Sequence, residues 1–191
     1  MEAQGNFAAI MIRRRPLLML AASLALAASA VLAQVPASVY NQAVADFDQQ
    51  RYAEAEQTLR PALSEHPHDA RGLGLMGLIL DAQKRFVEAE AFHRRALVLA
   101  PNSAALDSNL GNHYLEQGQS ERARSAYLRV IELDPADRNA NSQLAQISIN
   151  RKKGAEALHY LDRLPRSVWL ASKMICIVTT RPQLFSSRLN A

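Results

Sequence analysis

The feature that most constrains the fold of this chain is an ungapped repeat with a period of 34 residues. Gly77 recurs as Gly111 and Pro101 as Pro135, each pair separated by 34 positions. The same frame aligns four alanines at positions 55, 89, 123 and 157. A period of this length is typical of helix–turn–helix units that stack side by side, because one unit alone cannot bury its apolar face. The sequence therefore predicts an all-α solenoid of stacked antiparallel helix pairs.

The frame divides residues 34–164 into about 3.5–4 units, with boundaries at 36–69, 70–103, 104–137 and 138–164. Within each unit, apolar and small residues follow helical spacing on two consecutive segments. In the third unit, Asn102 or Ser103 is predicted to cap the first helix, and Gly118 to end it. Ser38 and Ser120 are predicted to cap two further helices.

The second unit contains two glycines that its helical pattern does not explain. A glycine inside a helix costs about 1 kcal/mol relative to alanine. Gly77 stands where a neighbouring helix must approach closely, whereas Gly72 and Gly74 have no packing reason visible in the sequence. We therefore expect the first half of this helix to be loosely packed.

Residues 104–135 resemble a tetratricopeptide repeat, and the resemblance extends over residues 36–164. It rests on Leu110-Gly111, Tyr114, Gly118, Ala123, Tyr127 and Pro135 in the third unit. It implies a right-handed superhelix in which the first helix of every unit lines a concave face. Asp46 and Asp107 depart from the family pattern, because both stand where a bulky residue is common, and Val130 replaces a usual alanine.

The resemblance also implies where a ligand would bind, since helical spacing places certain positions of each first helix on the concave face. The polar candidates for peptide binding are Asn41, Arg71, Ser108, Asn109, Asn112, Gln143 and Gln146. Amides offer a donor and an acceptor together, which suits a peptide backbone. The segment around Asn109 is similar to repeats of the O-linked N-acetylglucosamine transferase type. The first two units present a more apolar lining that includes Tyr40, Leu75 and Leu78. The alternative is that the amides are solvated polar residues in an open groove.

The net charge of +4 does not indicate a nucleic-acid-binding surface. Residues 1–33 carry +2 and residues 165–191 carry +4, whereas residues 34–164 hold 15 basic and 17 acidic residues. The array therefore has no excess of positive charge with which to neutralise phosphates. The partner that we expect is a protein or an extended peptide.

The N-terminal segment has the pattern of a secretory signal peptide. Three arginines at positions 13–15 precede an uncharged run from Leu17 to Ala33. As a helix this run would span about 25 Å, at 1.5 Å per residue, which is short for a bilayer core of about 30 Å. We expect cleavage after Ala33 and a periplasmic or secreted bacterial protein. The alternative is an uncleaved inner-membrane anchor, and a true start at Met11 would remove residues 1–10.

The repeat frame ends after Leu164, and residues 165–191 match no further unit. They could form an atypical C-terminal capping helix, or they could be an aberrant tail that lost the frame. The run from Met174 to Thr180 is apolar and β-branched, and if exposed it would favour self-association.

No pattern of catalytic or cofactor-binding residues is present, so we expect neither an enzyme nor a bound cofactor. Cys176 is the single cysteine of the chain, which excludes a zinc site built from several cysteines. His66 and His68 flank a proline in a turn, His93 stands at a helix-packing position, and His113 has no acidic partner at ligand spacing. The function that the sequence favours is an exported scaffold for protein–protein interaction. The alternative is an accessory or truncated module of a larger envelope enzyme or assembly system.

Overall fold

The computed structural model describes residues 34–164, and this part of the chain is entirely helical and turn structure without strands. Its helices form four antiparallel pairs, numbered here in chain order as α1 (Ala37–Asp48), α2 (Tyr52–Glu65), α3 (Ala70–Ala82), α4 (Phe86–Leu99), α5 (Ala104–Glu116), α6 (Ser120–Leu133), α7 (Arg138–Asn150) and α8 (Gly154–Leu161). Helices α3, α5 and α7 begin at residues 70, 104 and 138. The predicted all-α solenoid is thus confirmed. The predicted signal peptide at 1–33 and the predicted cap or tail at 165–191 lie outside the described residues.

Three of the first helices begin at an equivalent capping residue. Ser103 accepts a hydrogen bond from the backbone N–H of Leu106 at 3.4 Å, and Asp137 accepts one from Ala140 at 2.7 Å. Asp69 caps α3 in the same way and also accepts the N–H of Val35 at 2.9 Å. Each cap satisfies backbone donors that the first turn leaves unpaired. The predictions for Ser38 and Ser120 are wrong, because the cap positions are Pro36 and Gln119, whose side chains make no capping bond.

The turn inside each unit places one residue in the left-handed backbone region. The φ angles are 60° at Gln50, 63° at Lys84, 71° at Gly118 and 59° at Lys152. Only glycine adopts this conformation without a steric cost. The turn geometry is therefore a property of the repeat, while a glycine is supplied in the third unit alone.

The core is divided between two apolar clusters. One is built from the first two units together with Leu106, and the other from the last two units between Tyr114 and Leu164. Within residues 34–164, no helix is both long and apolar enough to cross a bilayer.

The glycines of α3 are places of close contact, which corrects the expectation of a loose helix. A Cβ at Gly74 would lie 2.5 Å from Leu106 Cδ2, and one at Gly72 would lie 3.0 Å from Leu63 Cδ2. A Cβ at Gly77 would meet the ring of His93 at 2.5 Å. These side chains occupy the space that a larger residue in α3 would need.

The two acidic departures from the family pattern are both buried. Asp46 is 4% exposed and is bound by Gln42 and Arg51, and the hydrogen bond from Arg51 is the main reason that its pKa is lowered. Asp107 is 6% exposed, and no group among residues 34–164 hydrogen-bonds its Oδ2 atom. Burial raises the pKa of Asp107.

Candidate functional site

The candidate site is a groove of about 300 Å³ on the face formed by the first helices of three consecutive units. It is lined by Tyr40 from α1, by Ala70, Arg71, Gly74, Leu75 and Leu78 from α3, by Ala105, Leu106 and Asn109 from α5, and by Ala100 and Ser103 from the segment before α5. Helices α1 and α3, and helices α3 and α5, contact each other directly. The predicted lining by first helices is therefore present at this groove.

The floor of the groove is apolar. Leu75 and Leu106 are buried, and Leu78 and Tyr40 are partly exposed. Gly74 lies between them, and its missing side chain gives Leu106 room to reach the floor from α5. An apolar side chain of about the size of leucine could lose its hydration against these residues, which is worth about 1.5–3 kcal/mol for full burial.

Two polar side chains stand at the edge of this floor. The guanidinium of exposed Arg71 stacks over the ring of Tyr40 at 3.9 Å from the ring centroid. Asn109 projects from α5 and is partly exposed. None of the lining residues is acidic. The groove thus combines an apolar floor, one oriented cation, and one amide with both a donor and an acceptor.

The structure brings together only Arg71 and Asn109 from the set of predicted binding residues. Ser108 Oγ accepts a hydrogen bond from Asn139 Nδ2 at 3.1 Å. Asn112 Oδ1 accepts one from the hydroxyl of Tyr127 at 2.5 Å. These two side chains therefore already bind neighbouring residues of the array. Asn41 is exposed on α1 and does not line the groove.

Gln143 and Gln146 line a separate groove of about 300 Å³ at the C-terminal end of the array. Ala145, Ile149, Leu161 and Leu164 supply its apolar walls. Gln146 Nε2 also donates to Asn150 Oδ1 at 3.0 Å. Of the polar candidates in the third and fourth units, Asn109 lines the first groove and Gln143 and Gln146 line the second, whereas Ser108 and Asn112 line neither.

Sequence reasoning missed Leu106 as a lining residue. Leu106 is the third residue of its unit, and it was not among the residues expected on the concave face. The signal that could have revealed it is Gly74. A small residue on one helix leaves space that a larger side chain from the neighbouring helix can fill.

Sequence reasoning also missed a cluster of buried ionisable residues beneath this face. Asp81 in α3, His93 in α4 and His113 in α5 are all buried and form the cluster of metal-ligating residue types found among residues 34–164. Asp81 Oδ2 lies 2.8 Å from His93 Nε2, and Asp81 Oδ1 lies 2.6 Å from His113 Nδ1. The sequence shows no acidic partner of His113 at ligand spacing, and the partner in the structure is Asp81, which stands 32 residues earlier in the preceding unit. Spacing within a single helix could not reveal it.

Comparison with known proteins identifies the repeat. The family model described as tetratricopeptide repeat matches residues 40–104 and 108–171, which together make up more than half of the chain.

Several solved structures share the fold. A structure from the functional characterisation of Pseudomonas aeruginosa pilF aligns with a TM-score of 0.62 and 19% identity, over 80% of this chain and 68% of that one. The first TPR of Spaghetti (RPAP3), bound to the HSP90 peptide SRMEEVD, aligns with a TM-score of 0.56 and 23% identity, over 60% of this chain and 90% of that one. A tetratricopeptide repeat protein from Parabacteroides merdae aligns with a TM-score of 0.68 and 18% identity, over 80% of this chain and 62% of that one. At these identities the likeness concerns the fold alone.

Proposed function

The chain belongs to the tetratricopeptide repeat family, whose fold is generally a non-catalytic interaction scaffold, and we propose that this protein is an exported scaffold that binds an extended peptide segment of a partner protein. The binding surface in this proposal is the groove between Tyr40, Leu78 and Asn109, on the concave face. The observation that carries it is the combination of an apolar floor with Arg71 and Asn109 at its edge. A repeat of the same fold binds a peptide in the RPAP3 structure, which supports the class of ligand.

The chemistry of the groove specifies the kind of segment that it would hold. An apolar side chain of the segment would fill the space above Leu75, Leu78 and Leu106. An adjacent carboxylate would pair with Arg71, whose stacking on Tyr40 already restricts the guanidinium. The amide of Asn109 would hydrogen-bond the backbone of the segment, and one such bond is worth about 0.5–1.5 kcal/mol net.

A selected peptide ligand tests this assignment directly. A random peptide library displayed on phage is selected against residues 34–191, and the dominant peptide is then labelled with fluorescein and titrated by fluorescence anisotropy. We expect the selected peptides to share an apolar residue next to an acidic one. Leu78→Glu should weaken binding at least about 100-fold, because it places a charge on the apolar floor, and a factor of 100 corresponds to about 2.7 kcal/mol.

Matched controls separate groove effects from effects on folding. Val87→Glu makes the same kind of change at a residue that is 88% exposed and outside the groove, and it should leave the dissociation constant unchanged. Arg71→Gln should weaken binding of acidic peptides about tenfold, or about 1.4 kcal/mol. Arg95→Gln removes a guanidinium stacked on Phe92 outside the groove and should have no effect. Equal losses in the groove and control variants would contradict the proposal.

The export component of the proposal has its own test. The full-length chain is expressed in a Gram-negative host, the periplasmic fraction is isolated, and the intact mass of the purified protein is measured. We expect a periplasmic protein whose mass corresponds to a start at Gln34. A protein of full-length mass in the membrane fraction would instead support the N-terminal anchor.

A further inference from the structure

The buried cluster of Asp81, His93 and His113 lies where the two apolar cores of the array meet. The three residues come from α3, α4 and α5, so the cluster joins the second unit to the third. The side chains of both histidines are completely buried, and that of Asp81 is 5% exposed. Equivalent positions elsewhere in the array are mostly apolar: Phe47, Leu115 and Ile149 correspond to Asp81, and Leu59 and Leu161 correspond to His93.

A chain of hydrogen bonds leads from the surface to this cluster and has a fixed direction. Arg122 Nη1 donates to Gln119 Oε1 at 2.7 Å, and Gln119 Nε2 donates to Gln117 Oε1 at 2.9 Å. Gln117 Nε2 lies 2.7 Å from His113 Nε2. A guanidinium can only donate, so each amide in the chain must present its oxygen towards Arg122 and its nitrogen towards His113.

A second contact orients Gln117 independently. Its Nε2 also lies 3.3 Å from the backbone carbonyl of His113, which can only accept. His113 Nε2 therefore accepts a hydrogen bond from Gln117, and His113 Nδ1 carries the hydrogen with which the ring donates a hydrogen bond to Asp81 Oδ1. The surroundings thus select one neutral tautomer of His113.

The surroundings of His93 select its tautomer as well. No polar group within residues 34–164 reaches the buried Nδ1 atom of His93. A proton on Nδ1 would be a buried donor without an acceptor, whereas a proton on Nε2 is donated to Asp81 Oδ2 at 2.8 Å. The two oxygens of Asp81 then each accept a hydrogen bond from one of the rings.

This arrangement does not fit a metal ion. Zinc would take the lone pairs of His113 Nδ1 and His93 Nε2, so each ring would carry its proton on the opposite nitrogen. Metal-ligating histidines normally donate that proton to an acceptor. Here His113 Nε2 would face the NH₂ group of Gln117, and His93 Nδ1 would have no acceptor.

We infer that Asp81, His93 and His113 are positioning residues that hold α3 against α5 and so fix the register of the two helices that line the groove. Helices α3 and α5 carry the groove floor. They meet at Gly74 and Leu106, and again at Asp81 and His113, seven residues further along each helix, which is about two turns. Apolar packing tolerates small sliding of one helix past another, whereas hydrogen bonds are directional and select one register. The expected effect of the cluster on peptide binding rests on the proposed function. The assignment of protons to the ring nitrogens of His93 and His113 does not.

The proton positions are tested without any ligand. Long-range ¹H–¹⁵N correlation spectra of histidine-labelled protein should show His113 with a protonated Nδ1 and an unprotonated Nε2, and His93 with the opposite pattern. Gln117→Glu places a carboxylate beside His113 Nε2 and should convert His113 to the doubly protonated form. Gln49→Glu makes the same kind of change at an exposed residue outside this chain of hydrogen bonds and should leave the pattern of His113 unchanged. A wild-type His113 that carries its proton on Nε2 would overturn the assignment.

Titration with Zn²⁺ alone tests whether the cluster binds a metal ion. We expect calorimetry to give the same binding isotherm for the wild-type protein and for the triple variant Asp81→Leu, His93→Leu, His113→Ile, because only exposed groups common to both would bind zinc. One equivalent of zinc bound by the wild-type protein and lost in the triple variant would overturn the inference.

The same triple variant tests the positioning role. Replacing Asp81 alone would leave two buried rings without an acceptor, so the single variant could fail to fold. The triple variant uses residues that the chain itself places 34 positions away, namely Leu115 for Asp81, Leu59 for His93 and Ile79 for His113. Replacing a whole buried cluster of ionisable residues by apolar ones is often neutral or stabilising. We expect its midpoint of urea unfolding to equal or exceed that of the wild type, and its affinity for the selected peptide to fall about tenfold.

Two results would contradict that role. A triple variant that binds the selected peptide as tightly as the wild type would show that the cluster serves stability only. A wild-type protein that selects no peptide would overturn the proposed function together with the effect on binding. In that case the NMR measurement would still decide the proton assignment by itself.

Discussion

His93 in the second unit and Tyr127 in the third occupy equivalent positions, and each ring packs against a glycine of the preceding helix. A Cβ at Gly77 would lie 2.5 Å from His93, and a Cβ at Gly111 would lie 2.8 Å from Tyr127. The partners of the two rings differ. His93 binds the buried carboxylate of Asp81, whereas the hydroxyl of Tyr127 binds partly exposed Asn112.

The difference shows that one backbone arrangement accommodates two kinds of core. In the third unit the ring fills an apolar cluster and its polar tip reaches towards the surface, and burial raises the pKa of the Tyr127 phenol. In the second unit the polar group lies inside the junction between units. In the second unit, packing therefore depends on correctly oriented hydrogen bonds as well as on shape.

The largest expected effect distinguishes the two ring positions. Gly77→Ala should lower the free energy of unfolding by about 2–3 kcal/mol, because overpacking a core typically costs 1–3 kcal/mol and His93 is held by Asp81. Gly111→Ala should cost less, about 1–2 kcal/mol, because the added Cβ would lie 2.8 Å from the Tyr127 ring rather than 2.5 Å, and the hydroxyl of Tyr127 binds partly exposed Asn112 rather than a buried carboxylate. Urea unfolding monitored by circular dichroism measures both.

Gly72→Ala is the control for this pair, because its nearest contacts are the ends of flexible side chains at 3.0 Å and 3.2 Å. We expect a change close to zero, since alanine also gains helix propensity over glycine. An equal loss at Gly77 and Gly111 would remove the distinction between the two cores.

An intermediate effect on the free energy of unfolding is expected at another pair of equivalent positions, Asp107 in the third unit and Asn141 in the fourth. Asn141 Nδ2 donates to the carbonyls of Pro135 at 3.1 Å and Asp137 at 2.7 Å. Asp107 holds the same position one unit earlier and, when ionised, has no proton to donate. Asp107→Asn should therefore raise the free energy of unfolding at pH 7 by about 1–2 kcal/mol, the scale of a buried unsatisfied group.

The pH dependence of this effect follows from the raised pKa of Asp107. The folded state binds the proton of this carboxyl more tightly than the unfolded state does, so the wild-type stability from this group falls as the pH rises through the folded-state pKa. The gain from Asp107→Asn should be full above that pKa and should vanish below the ordinary carboxyl value of about 3.9. Asn141→Asp should lower the free energy of unfolding above that pKa. A gain from Asp107→Asn that does not depend on pH would contradict the mechanism.

The smallest effect concerns the turns. Gln50 adopts the left-handed conformation that Gly118 adopts in the third unit. Gln50→Gly should raise the free energy of unfolding by up to about 1 kcal/mol, since relief of steric strain exceeds the added freedom of the unfolded chain. Gly118→Ala should lower it by a similar amount, and thermal melts of both variants measure the pair. A loss in Gln50→Gly would show that its turn is not strained.

The repeat units and their helix pairs could be predicted from the sequence because each unit contacts mainly its neighbours, so local periodicity carries most of the fold. The end of the first helix of the third unit at Gly118 and the capping of α5 by Asn102 or Ser103 were predicted from local chemistry, and the structure shows Ser103 as the capping residue. For the candidate site, the sequence predicted a lining by first helices, and residues of α1, α3 and α5 line the groove. It placed Arg71 and Asn109 among the candidates, and the structure brings these two to one groove.

What the sequence by itself determined is the period of the repeat and the helical class of the fold. Tertiary structure alone decided that the side chain of Leu106 packs against Gly74 and lines the groove. It also decided that Asp81 lies between two histidines, one of them in the next unit. Both are contacts between residues about 32 positions apart. Whether two such side chains meet depends on how closely one helix approaches the next, and that distance is set by the packing of the whole junction.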